Sequence, residues 1–207
     1  MDIQNLDSKT RILKVAERIF AEKGYDAARV DEIAREAQVN KALIYYYFKS
    51  KEDILNALVD TILDDVMDLF EEVFNEKIDI FAEASVEKLL NTFFKFIEER
   101  VDLIKIILME SLKDSTKNPP LFKLADIINN ERTQQLIQTF ESRGLTVQVD
   151  RAQMAITEFF TGSLPLINFI IFRDKWCQYF KISPEEMQQK FYKAFLSTHW
   201  AQHHSET

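Results

Sequence analysis

Three glycines (Gly24, Gly144, Gly162) and four prolines (Pro119, Pro120, Pro165, Pro184) are all that punctuate 207 residues. A strand-rich fold reverses direction often and needs turn formers at most reversals, so a chain this poor in them is confined to long helices with few connections. Hydrophobic residues make up 46% of the sequence, which is ample for a buried core. The expected fold class is all-α. The length allows one large domain, or a small domain joined to a larger one.

Apolar spacing and capping residues place the helices. Asp7 or Ser8 can cap a first helix with Ile12, Ala16, Ile19 and Phe20 on one face, and Gly24 supplies a left-handed stop. A second helix is expected over about 30–37, burying Val30, Ile33, Ala34 and Ala37. A third starts at Asn40, a good N-cap residue, and ends near Phe48, with Ile44 and Phe48 turned toward the first two. Ser50-Lys51-Glu52-Asp53 has the form of a capping box, with Asp53 where Glu is more usual, and opens a long fourth helix to about Val73. Further helices are expected at roughly 85–100, 103–113, 121–143, 150–172 and 184–202. Gly144, the capping box at Asp150, and Ser183-Pro184 mark some of their ends. The boundary between a domain at 1–50 and a larger helical domain at 51–207 then falls in the helix after Ser50.

Residues 28–51 carry the chemistry. Two short amphipathic helices are separated by a tight break at Gln38–Asn40, and the second ends in Tyr45-Tyr46-Tyr47 followed by Lys49 and Lys51. A short helix that packs through one face and fills the other with Asn40, Lys41, Tyr45 and Tyr46 suits a DNA major groove. Lys41 and Tyr45 are four apart, as are Ala42 and Tyr46, so each pair shares a face. Lysine offers donors to guanine edges or phosphate, and tyrosine hydroxyls bond phosphate oxygens while their rings pack on sugar. Small Ala42 lets the backbone approach the bases, Leu43 offers apolar contact suited to a thymine methyl, and Lys51 in the next helix's first turn is expected on phosphate. The competing reading is that the aromatic run is only core.

The charge distribution permits such a partner. The chain carries a net charge of −8, but residues 1–51 hold ten Lys/Arg against eight Asp/Glu while residues 52–207 hold sixteen against twenty-six. Screening over ~8–10 Å makes the local field decisive, so an acidic body does not forbid a polyanion at the other end. The single Cys177 excludes an internal disulfide framework and fits a reducing compartment. The first residues are acidic with no apolar signal core. The longest nearly apolar stretch, 159–172, is interrupted by Gly162, Pro165 and Asn168 and falls short of the ~20 residues a spanning helix needs. A cytoplasmic location without membrane contact is the expectation.

The N-terminal segment resembles the TetR family of transcriptional regulators. The resemblance rests on Ala21-Glu22-Lys23-Gly24-Tyr25, on Val30-Asp31-Glu32-Ile33-Ala34, and on Val39-Asn40-Lys41 leading to Tyr45-Tyr46-Tyr47-Phe48-Lys49-Ser50-Lys51. It covers about residues 8–55, with the helix-turn-helix motif at about 30–49, and beyond that only helical layout and length agree. It implies a three-helix DNA-binding domain joined through a long fourth helix to a helical ligand-binding and dimerisation domain. It further implies a homodimer on a double-stranded, pseudo-palindromic operator, usually a repressor released by a small molecule, and no enzyme. Carried across, Asn40 and Lys41 start the recognition helix, Ala42 and Leu43 face bases, and Tyr45, Tyr46 and Lys51 hold the backbone. Three positions depart from the family pattern. Ala28-Arg29 replaces the usual Ser or Thr before the second helix, where Arg29 could bind phosphate itself. Tyr47 stands at a frequent His, and Leu43 at a common Thr.

The body of the chain is rich in phenylalanine, most of it expected as core. Met67, Phe94, Met109, Phe122, Phe160 and Asn168 are candidate linings of a cavity for an apolar or aromatic ligand. Leu166, Ile167, Ile170, Met187, Phe191 and Phe195 are candidates for a four-helix dimer interface, the alternative being burial within one subunit. His199 and His203 lie four apart, but no carboxylate or cysteine is near in sequence, so a solvated tail is expected and no metal or cofactor. No His-Glu-x-x-His, phosphate-cradling glycine loop or nucleophile elbow occurs. The rivals to a ligand-released repressor are a regulator that needs its ligand or activates, an all-helical small-molecule-binding protein or enzyme using the Phe-rich region, and a protein-docking helix-turn-helix.

Overall fold

The computed structural model describes residues 6–75, 83–113, 117–142, 144, 146 and 148–200, and among them every regular element is a helix. In chain order these are α1 Ser8–Lys23, α2 Val30–Glu36, α3 Lys41–Tyr47, α4 Lys51–Asn75, α5 Glu83–Glu99, α6 Val101–Ser111, α7 Pro120–Ser142, α8 Arg151–Thr157, α9 Leu164–Phe180 and α10 Pro184–Phe195. Wider π-helical turns occupy Glu158–Ser163 and Leu196–Trp200. Two compact units emerge. One draws on Met1–Ile78 and Asp102–Leu124, the other on Asp79–Val101 and Ala125–Thr207.

In the first unit α1 packs on α2, α3 and α4. Its core holds the positions expected from spacing, Ile12, Ala16, Ile19, Phe20, Ile33, Ala34, Ala37, Ile44 and Phe48, joined by Val15, Ile54, Leu58 and Val59, while Val30, also expected there, is only half-buried. Asp7 caps α1 by accepting from the Lys9 and Thr10 backbone N–H groups, and Gly24 stops it at φ +82°. Only glycine adopts that backbone without strain. The three-helix domain at 1–50 lies within this unit, which also holds all of α4 and α6 from Asp102 onward.

In the second unit α9 packs on α5 and α10. A string of rings runs through it: Phe94 to Phe169 at 5.0 Å, Phe169 to Phe191 at 4.3 Å, Phe191 to Phe195 at 6.0 Å and Phe195 to His199 at 5.1 Å between centroids. Several of the residues expected at a dimer interface take part in this unit's own packing. Leu166, Ile170 and Phe195 are buried inside the unit and Phe191 stacks there, while Ile167 and Met187 are only half-buried. The exposed face of α9 is instead Phe172, Trp176, Tyr179 and Phe180. The helix expected to end near 172 continues to Phe180, with Arg173 pairing to Glu98 at 2.7 Å.

Gly162 and Pro165 do not break the chain either. The π turn absorbs one and the first turn of α9 the other, giving a continuous run from Arg151 to Phe180. By length and composition that run could cross a bilayer, contrary to the expectation from residues 159–172. Within the unit this run packs on α5 and α10 and pairs with Glu98.

The two π turns meet through Gly162 and His199. A Cβ on Gly162 would stand 2.8 Å from His199 Cε1, so only glycine admits the ring. His199 is buried and its Nδ1 lies 2.8 Å from Thr161 Oγ1. That hydroxyl spends its proton on the Thr157 carbonyl at 2.7 Å, so the imidazole donates from Nδ1. The solvated tail expected for His199 is therefore replaced by a core contact; His203 and His204 lie outside the described residues. Gly162→Ala should lower the unfolding free energy by about 1–3 kcal/mol in denaturant melts. Most of that loss should return in Gly162→Ala with His199→Ala, and an additive pair would remove the contact from the account.

Candidate nucleic-acid interface

The break between α2 and α3 is a Schellman turn. Gln38 takes φ +54°, the Val39 N–H donates to the Ala34 carbonyl at 3.0 Å, and the Gln38 N–H donates to Arg35 at 3.1 Å. The Arg11 Nε of α1 then donates to the Ala37 carbonyl at 2.8 Å, securing the C-terminal end of α2. Asn40 restarts the chain: its Oδ1 accepts from the Leu43 N–H at 2.7 Å, capping α3 as the sequence implied. The turn's length and the burial of Ile44 and Phe48 together fix which side of α3 faces outward.

That outward side holds Asn40, Lys41, Ala42, Tyr45 and Tyr46, all exposed, with Leu43 half-buried beside them. Tyr46 is 79% exposed and Tyr45 47%. The competing core reading fits Phe48 but not these two rings. Tyr47 is also exposed and stands edge-on to Tyr46, at 5.1 Å between centroids. Arg29 occupies the N-cap of α2 without a side-chain cap bond and is exposed. Lys41 is not presented alone. Its ammonium pairs with Asp31 of α2 at 2.7 Å and lies 5.9 Å from the Tyr45 ring centre. The hydrogen bond it donates to Asp31, then the Asp31 charge, raise the Lys41 pKa and keep the ammonium protonated.

Lys51 corrects the sequence reading. Its Nζ donates to the carbonyls of Tyr25 at 2.8 Å, Ala28 at 3.1 Å and Asp26 at 3.2 Å, and sits 4.4 Å from the Tyr25 ring centre. An ammonium has three N–H bonds, and three carbonyls take them. Lys51 is thus a clasp on the turn between α1 and α2, its donors taken within the chain. The α4 start is otherwise capped as expected, Ser50 Oγ accepting from the Asp53 N–H at 3.1 Å, while Asp53 accepts from the Lys49 N–H at 2.8 Å.

A second lysine reaches the same turn from far along the chain. Lys113, just past α6, pairs with Asp26 at 2.6 Å and with Glu110 at 2.7 Å. Burial pulls the Lys113 pKa down, but hydrogen bonds to Asp26 and Glu110 outweigh it and leave it raised. The Lys113 hydrogen bond holds the Asp26 carboxyl below its ordinary range. The pair's contribution is therefore complete above that range and vanishes as pH falls through the depressed value. Between the two lysines, burial pushes the Tyr25 phenol up, with Glu52 and Glu110 adding to the effect. Asp31, Arg11, Tyr25 and Lys113 were all missed in the sequence. Only the Asp31–Lys41 spacing, flanking the turn, offered a signal.

The six ligand candidates are divided between the two units. Met67, Met109 and Phe122 belong to the first unit, and Phe94, Phe160 and Asn168 to the second. Met109, Phe122, Phe160 and Asn168 are exposed, and Phe94 is buried among Phe169 and Phe191. Among the described residues no group of three or more His, Cys, Asp or Glu could hold a metal ion.

Residues 12–58 match the family described as bacterial regulatory proteins, tetR family. The HTH-type transcriptional regulator YdgC of Bacillus subtilis (strain 168), itself uncharacterized, is 33% identical over 108 residues, 51% of this chain and 55% of that protein. The HTH-type transcriptional repressor KstR2 of Rhodococcus jostii (strain RHA1) is 30% identical over 90 residues, 44% of this chain and 43% of that one. The chain thus spans about half the length of these curated relatives. Among solved structures, the regulator FadR from Bacillus subtilis in complex with stearoyl-CoA superposes with a TM-score of 0.53 at 18% identity, covering 90% of this chain and 97% of that one. That likeness extends the fold to both units.

Lys51→Met keeps the aliphatic stem and removes the donors. It should cost about 1–3 kcal/mol of stability and leave the slope of log K against log salt on DNA unchanged. A slope shallower by ~0.9 with stability intact would return the ammonium to a phosphate.

Proposed function

We propose, from the premise that its N-terminal domain belongs to the TetR family of bacterial regulatory proteins, that this chain is a sequence-specific transcriptional regulator acting as a homodimeric repressor. The observation that carries the reading is α3 itself, capped by Asn40, packed through Ile44 and Phe48, and open along Lys41, Ala42, Tyr45 and Tyr46. An outward helix of this kind enters the major groove with its N-terminal residues on base edges. Tyr45, Tyr46 and Arg29 hold the phosphate backbone, while Lys41, Ala42 and Leu43 read bases. The chemistry is binding and not catalysis.

Two readers ~34–36 Å apart are needed for two half-sites, so the assembly is a dimer. The exposed stripe at Phe172, Trp176, Tyr179 and Phe180 supports this. Its members are spaced by four, three and one along α9, and Trp176 and Tyr179 are 47% and 80% exposed. Soluble monomers rarely leave so much contiguous aromatic surface in water.

Release by a small apolar ligand needs a route from the body of the chain to α3. The turn after α1 supplies one, because α4 holds it through Lys51 and the end of α6 through Lys113. A ligand that shifts either helix moves the turn, and a coupling of ~1–3 kcal/mol changes operator affinity roughly 5- to 150-fold. FadR, solved with stearoyl-CoA, supports a long-chain apolar effector in this fold. The cytoplasm is the compartment where such a protein meets DNA.

Selecting bound fragments from random double-stranded DNA, with and without stearoyl-CoA, tests the reading. The expected outcome is a pseudo-palindrome with half-sites one helical turn apart, weakened by the acyl compound. Tighter binding with the compound would favour the co-repressor form, and no salt-dependent retention would remove the regulator reading. In the same assay Trp176→Glu with Tyr179→Glu should sediment as a monomer and lose at least about tenfold in operator affinity. A persistent dimer would relocate the interface.

A further inference from the structure

Asp31 is out of place on a surface meant for a polyanion. It stands on α2 with its side chain 70% exposed, directly beside the lysine that opens α3. Any groove that admits Lys41 also admits this carboxylate, which phosphates repel unless a donor meets it. In the major groove the only donors are the amino groups of cytosine and adenine.

We propose that Asp31 and Lys41 act as one composite reader of a guanine–cytosine pair, a specificity element that rests on the regulator reading. The Lys41 Nζ and Asp31 Oδ1 are 2.7 Å apart. In a guanine–cytosine pair the guanine O6 acceptor and the cytosine N4 donor are likewise about one hydrogen bond apart, ~2.9 Å. The ion pair therefore lies edge-on to the base pair without opening. Nζ donates to O6 and, with its remaining donors, to N7, while Oδ1 accepts from N4–H. Thymine–adenine keeps the order of acceptor and donor but puts a methyl where guanine has N7, and the other two pairs reverse the order. The carboxylate is thus offset at one base pair and uncompensated elsewhere, which lowers affinity for unrelated DNA.

The full-length protein and its Asp31→Ala and Asp31→Asn variants, each put through selection on random double-stranded DNA, test this. The wild type should require guanine–cytosine at one position in each half-site. Asp31→Ala should lose about tenfold in discrimination at that position alone, with Asp31→Asn in between because its amide oxygen still accepts. Both should bind unrelated DNA more tightly. If the variants gain affinity for all sequences alike with every base preference unchanged, Asp31 is merely a repelling charge and the composite reader is wrong. A wild type that retains no DNA would instead bring down the regulator reading on which the inference stands, so the two failures are told apart by the wild-type arm.

Discussion

Burial of Ile44 and Phe48 at a spacing of four decides what α3 presents to its surroundings. Both side chains belong to the core of the three N-terminal helices, and a helix with two fixed apolar anchors on one face cannot rotate about its axis. Lys41, Ala42, Tyr45 and Tyr46 are consequently outside, whatever else the chain does. The Schellman turn at Gln38 and the Arg11 bond to Ala37 serve the same end by fixing where α3 starts. Loosening either anchor would misplace every outward residue at once, so the exposed face depends on the hidden one.

The turn from Gly24 to Ala28 is the second fixed point. Four carbonyl and carboxylate groups of this turn are held by just two ammonium groups, from Lys51 and Lys113, with the Tyr25 ring between them. Residues separated by 87 positions in sequence meet there. A part-buried cluster of this kind responds to small displacements, because each donor has only one satisfactory geometry. It gives the first unit a joint at which the placement of α4 and α6 becomes the placement of the α1–α2 pair.

Local grammar was easy to read in the sequence. Asp7, Asn40, Ser50, Asp150 and Ser183 cap helices where their positions imply, since capping is decided by a few neighbouring residues. The outward face of α3 was legible for the same reason, as Ile44 and Phe48 define it by periodicity alone. What stayed hidden depends on distant partners. Lys51 reads as a phosphate ligand until three carbonyls are seen around it. Likewise, Leu166, Ile170 and Phe195 are apolar enough for any interface, and only the packing of α9 on α5 and α10 assigns them to one subunit. His199 gave no hint at all, because the space it fills is created by a missing Cβ at Gly162.

Amide hydrogen exchange on the protein, alone and saturated with a fragment enriched from random DNA, addresses the outward presentation of α3 most directly. Slowed exchange should concentrate in the segment from Arg29 to Tyr47, with helices α5 and α9 of the second unit unaltered by direct contact. Protection that spared this segment and appeared on another helical surface would contradict the assignment of α3 as the reader.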